Sequence, residues 1–160
     1  MDPDFDKLLP ALVHGGVEFI LVGGVAAVVH GAARVTYDVD LVYARSPANC
    51  ERMVDALRPF APYLRDAPPG LPFAWEPRRL RHGLNFTLTT AAGDVDLLGE
   101  IIGGGTYEQL LPHTSEIEAF AVRFRCVTLP KLIDLKRAAG RPKDFEALAE
   151  LEALRDEQQS

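Results

Sequence analysis

The chain has 160 residues, 48% of them apolar and 25% charged, with a formal net charge of −6. These totals are those of one globular domain able to bury a core, and the acidic balance excludes a protein coated all round with nucleic acid. The start "MDPDFDK" carries no basic leader, and the longest apolar run, residues 19–29, is far below the roughly 20 residues that cross a bilayer. Cys50 and Cys126 have no metal or redox spacing, so a cytoplasmic protein with free thiols is expected.

Residues 4–16 predict a short amphipathic helix with Phe5, Leu8, Leu9, Leu12 and Val13 on one side. "VEFILVGG" reads as a buried strand running into two glycines, and "VAAVVHGAA" as a small-residue helix that packs closely on a sheet. "DVDLVYAR" is a second strand. Ser46-Pro47 then opens a helix to about Leu57, with the hydroxyl at the N-cap and proline at the first helical position. Five prolines between residues 61 and 83 predict an irregular or interrupted stretch. "LNFTLTT" and "VDLLGEI" are strands joined by a hairpin turn at "AAGD". "GGGTYEQLLPHT" reads as a surface loop, with or without a helical turn, and "IEAFAVRFRCVTL" as two strand-like halves. Pro130 opens a helix that Gly140 terminates, and Pro142 opens a last one to about Leu154. The alternation predicts an α/β (α+β) protein, a mixed sheet flanked by helices, in a single domain. Its core spans about 17–129, followed by a C-terminal helical segment at about 130–156.

Asp38 and Asp40 sit at the entrance of an apolar strand, where uncompensated carboxylates are costly. Residues two apart on a strand share a face, so both acids converge on one point while Val39 and Leu41 face the other way. A divalent cation resolves the repulsion, and hard oxygen ligands suit magnesium or manganese. A second Asp-Val-Asp-Leu, residues 94–97, supplies a third ligand. Asp96 is favoured for it, because Asp94 follows Gly93 and has an alternative account as a turn residue. Gly23 and Gly24, between strand and helix, offer bare backbone N–H groups to an anion; a tight strand-to-helix turn is the competing reading.

At these residues the chain resembles the DNA polymerase β-type nucleotidyltransferase superfamily. "LVGG", thirteen residues, then "DVDL" is similar to its glycine turn and acid pair, and "ARVTYDVDL" carries the Arg-x-Thr-x-Asp-x-Asp run of the small prokaryotic branch. That branch includes minimal nucleotidyltransferases and AbiEii-type toxins. The end, "LPKLIDLKRAAGRPKDFEALAEL", resembles it too, whereas residues 46–83 do not. The resemblance implies a nucleotidyltransferase fold and transfer of a nucleotidyl group from a nucleoside triphosphate (NTP) to a hydroxyl. Asp38 and Asp40 would hold two magnesium ions, Asp96 would serve the acceptor-side ion, and Gly23 and Gly24 would hold triphosphate. The implied acceptor is RNA, a transfer RNA end, for a toxin of a toxin–antitoxin system. The alternatives are a cognate toxin protein as acceptor, or a relic of the fold that binds without chemistry.

The remaining candidates are cationic or polar. Arg34 and Thr36 precede the acids and are placed to meet phosphate, with helix capping and strand start as the competing account. Ten of the 17 Lys and Arg fall in two stretches: Arg78, Arg79 and Arg81, then seven from Arg123 to Lys143 with Asp134 as the only acid among them. From the second stretch Lys136 is expected at the nucleotide, and Arg137, Arg141 and Lys143 at an RNA backbone. Asp144 is a further candidate beside them, and also a favourable first-turn acid.

Overall fold

The computed structural model describes residues 3–159, the side chain of Lys143 excepted. Seven helices and nine strands are present among them. In chain order these are α1 Phe5–His14, β1 Phe19–Val22, α2 Gly23–Val29, β2 Asp38–Tyr43, α3 Pro47–Leu57, β3 Tyr63–Leu64, α4 Pro77–His82, β4 Asn85–Thr90 and β5 Gly93–Leu98. There follow β6 Glu100–Ile101, β7 Gly105–Thr106, α5 Tyr107–Leu110, β8 Thr114–Ala119, β9 Val122–Val127, α6 Leu129–Ala139 and α7 Phe145–Gln159.

Seven strands form one mixed sheet in the order β3-β4-β5-β2-β1-β9-β8. The β1–β9 and β2–β5 pairs are parallel and the others antiparallel. Helices flank it as two groups: α1, α3 and α4 pack on one another, as do α2, α6 and α7. The centre is apolar throughout, with Ile20, Leu21, Leu41, Val42, Leu88, Val95 and Leu97 all fully buried. No helix of the described residues is long and apolar enough to cross a membrane.

Local chemistry accounts for the element ends. Ser46 accepts from Asn49 N at 3.2 Å and Thr128 from Lys131 N at 3.4 Å, so each caps a helix that begins with a proline in its first turn. Gly140 closes α6 in the left-handed region at φ 62°. The turn between β4 and β5 is closed by a side chain: Thr90 Oγ1 donates to Gly93 O at 2.6 Å and accepts from Ala92 N at 3.1 Å.

One expectation is corrected. Asp94 is not a turn residue; it lies inside β5, opposite Asp38 on one side and Thr89 on the other. The proline-rich stretch 61–83 contains β3 and α4, and it buries Trp75, whose indole donates to Val54 O at 2.9 Å. The helical turn of the segment 103–114 is α5, which carries a capping box between Thr106 and Gln109 and buries Tyr107 and Leu110.

Candidate metal centre

The two Asp-Val-Asp-Leu segments lie side by side. Parallel pairing of β2 with β5 sets Asp38 opposite Asp94 and Asp40 opposite Asp96. Strand alternation sends Val39, Leu41, Val95 and Leu97 into the core and leaves the four carboxylates on the other face. Asp38, Asp40 and Asp96 each present an oxygen, and these atoms all lie within 4.8 Å of one another. At that separation two unit charges repel by roughly 3–4 kcal/mol for an effective dielectric of about 20.

β1 delivers the glycine turn to the same point. Val22 pairs with Asp40, and the next residue, Gly23, has φ 71°. A Cβ on Gly23 would stand 2.0 Å from Asp40 Oδ2, and one on Gly24 would stand 2.8 Å from Thr36 Oγ1. Bare backbone is therefore required here for close approach to the acids, whatever else binds. Thr36 donates to Asp38 O at 3.2 Å, tying the loop to the start of β2.

Burial, followed by the charges of Asp38 and Asp96, pushes the Asp40 carboxyl up to about 8 from its ordinary 3.8. Asp38 is also raised, by burial and then by Asp96, with Arg65 acting in the opposite direction. Asp40 Oδ1 is buried and has no hydrogen-bond partner. An orphaned carboxylate oxygen, three hard donors and mutual repulsion together fit a divalent cation.

Arg65 was not anticipated from the sequence. Its Nη2 donates to Asp96 Oδ1 at 2.7 Å and to Leu88 O at 2.8 Å, and its Nε lies 3.3 Å from Asp94 Oδ2 without hydrogen-bond alignment. It lies just beyond β3, in the stretch that carried no recognisable pattern. Only the pairing of β3 with β4 brings it to the acids.

The other candidates are distributed differently. Lys136 and Arg141 line a cavity of about 350 Å³ together with Gly23, Asn85 and Leu98, beside the acid face. Both are engaged by Asp144, which stands 3.4 Å from Lys136 Nζ and 2.7 Å from Arg141 Nε. Asp144 is buried, which works to raise its carboxyl, but the hydrogen bond from Arg141 and the charge of Lys136 hold it below the ordinary value. Arg137 pairs with Glu152 and, at 4.0 Å, with Asp134. Arg34 pairs with Glu150 on α7 at 3.1 Å. The side chain of Lys143 lies outside the described residues. Lys136, Arg137 and Arg141 are thus paired with acids from their own helices and the turn between them.

No protein-family model matches this chain, and no curated protein matches it significantly.

Proposed function

We propose that the protein is a magnesium- or manganese-dependent nucleotidyltransferase of the fold its sequence resembles, using an NTP and releasing pyrophosphate. The observation that supports this best is the meeting of three carboxylate oxygens within 4.8 Å beside a glycine turn that only bare backbone can fill. Asp38, Asp40 and Asp96 would hold the cation. When bound, it would neutralise phosphate charge and favour ionisation of the attacking hydroxyl. Gly23 and Gly24 present backbone N–H to the triphosphate, and Lys136 adds positive charge from the neighbouring cavity. In the transfer the acceptor oxygen bonds to the α-phosphorus and the bond to the bridging oxygen of pyrophosphate breaks. Asp96, held in place by Arg65, receives the hydroxyl proton.

The test is manganese binding by electron paramagnetic resonance, paired with transfer of α-labelled NTP into total RNA and co-purified protein. Wild type should bind manganese and transfer label. Asp38→Asn with Asp40→Asn should weaken manganese binding by at least about tenfold, a loss of about 1.4 kcal/mol or more, with the circular dichroism unchanged. Equal manganese binding by both proteins, or no transfer to any acceptor, would overturn the proposal.

A further inference from the structure

A cluster of positive charge without acidic partners among the described residues lies on α4. In this short helix Leu80 is fully buried, whereas Arg78, Arg79, Arg81 and His82 are exposed. Arg78 and Arg81 make no ion pair among the described residues. Arg79 is fixed instead, donating to Ala74 O at 2.9 Å and lying 4.9 Å over the Phe73 ring. Arg45 adds a further guanidinium, donating to Gly83 O at 2.6 Å and to Arg81 O at 3.3 Å. Like charges three and four positions apart on a helix cost a few tenths of a kcal/mol per pair. Arg79 and Arg45 are tied to the fold by these contacts, whereas the Arg78 and Arg81 side chains make no hydrogen bond or ion pair among the described residues.

A cavity of about 540 Å³ opens beside these groups, lined by Arg78, Arg79, His82, Glu76, Gly83 and Phe86. Strand β4 stands between it and the acid face: Phe86 shares the core-facing side with Leu88 and pairs with Leu97, whereas Thr87 pairs with Asp96 on the other side. Phe86 borders this cavity, its neighbour Asn85 borders the one containing Gly23 and Lys136, and the next residue, Thr87, pairs with Asp96. Gly83 and Thr87 are four positions apart, at most roughly 14 Å along the chain. We propose that α4 and Arg45 hold the phosphodiester backbone of a single-stranded RNA, whose end passes round the edge of β4 at Asn85 and Phe86, where β3 does not pair, to reach Asp96 on the other face. Arginine forks suit phosphate oxygens, and the half-buried Phe86 ring beside them offers a base a stacking face that an acidic peptide would not use. Its role as acceptor site rests on the nucleotidyltransferase reading; the binding itself does not.

The test measures fluorescence anisotropy of a short mixed-sequence labelled RNA in EDTA without NTP, over a range of potassium chloride. Wild type should bind with salt-dependent affinity. Arg78→Gln with Arg81→Gln should weaken binding and flatten the slope of log affinity against log salt by about 1.4, or about 0.7 per lost single-strand contact. Arg137→Gln should leave the slope alone. On the wild-type protein, RNA should also protect Arg78 and Arg81, and not Arg137, from phenylglyoxal. Absence of RNA binding, an unaltered slope in the double variant, or equally tight binding of polyglutamate would each overturn the proposal. Asp38→Asn with Asp40→Asn should bind this RNA normally, so failure of the metal centre and failure of this surface give different results.

Discussion

Arg65 donates a 2.7 Å hydrogen bond to Asp96, so the third carboxylate of the cluster is held by a cation contributed from the far edge of the sheet. The pair is mostly buried, with Arg65 23% and Asp96 19% exposed. Removing the guanidinium leaves three carboxylates facing one another. Arg65→Met should cost roughly 1–3 kcal/mol in EDTA, as expected for a hydrogen-bonded charge losing its partner. It should also raise affinity for manganese, because a competing positive charge has gone. Thermal melts with and without manganese check both, and a variant whose melting shift on adding metal is no larger than that of wild type would show that Arg65 is not a counter-charge to this cluster.

The glycine turn makes a second expectation. At Gly23 an added methyl meets Asp40 Oδ2 at 2.0 Å and the residue sits at φ 71°, whereas at Gly24 it meets the Thr36 hydroxyl at 2.8 Å. Gly23→Ala should therefore displace the Asp40 carboxylate and abolish manganese binding, with a stability loss of about 1–3 kcal/mol from backbone strain and crowding. Gly24→Ala should be the milder change in both measurements. The reverse order would mean that the turn does not position the acids.

The pH dependence follows from Asp40. Its carboxyl ionises near 8 in the folded protein, through burial and then the charges of Asp38 and Asp96, against 3.8 ordinarily. Between those values the folded state keeps a proton that the unfolded chain releases, so in EDTA stability should fall as pH rises through that window. Asp40→Asn should remove most of the slope and be more stable than wild type at and above the upper end. Urea unfolding from about pH 5 to about pH 8 checks this. A wild-type protein that gains stability across the window, or an Asn variant that keeps the slope, would contradict it.

The features legible in the sequence were those carried by short-range chemistry. Ser46-Pro47, Thr128 and Gly140 mark helix ends by capping, and both Asp-Val-Asp-Leu runs mark strands by alternation. Asp94 was misread for a local reason. The turn before it is closed by the Thr90 side chain rather than by Asp94, so Gly93 begins the strand instead of ending the loop. Arg65 was illegible because its role depends on strand order, and no pattern within residues 61–83 records which strand will lie beside it. The ion pairs that occupy Lys136 and Arg137 were hidden likewise, since Asp144 and Glu152 reach them only after the chain turns back beyond Gly140, whereas Arg141 and Asp144 are three positions apart.

The grip of α7 on the loop before β2 has a consequence for how the protein comes into being. Glu150 accepts from Ala33 N and from Arg34 Nε, at sequence separations of 117 and 116, and Leu154 lies against Gly31. At synthesis rates of about 5–20 residues per second, roughly 6–20 s pass between the emergence of that loop and of the residues that secure it. Contacts of such long range also slow folding once the chain is free. A chain stalled before residue 145 would thus carry all three carboxylates and the glycine turn, yet hold the segment between them without the contacts that α7 adds.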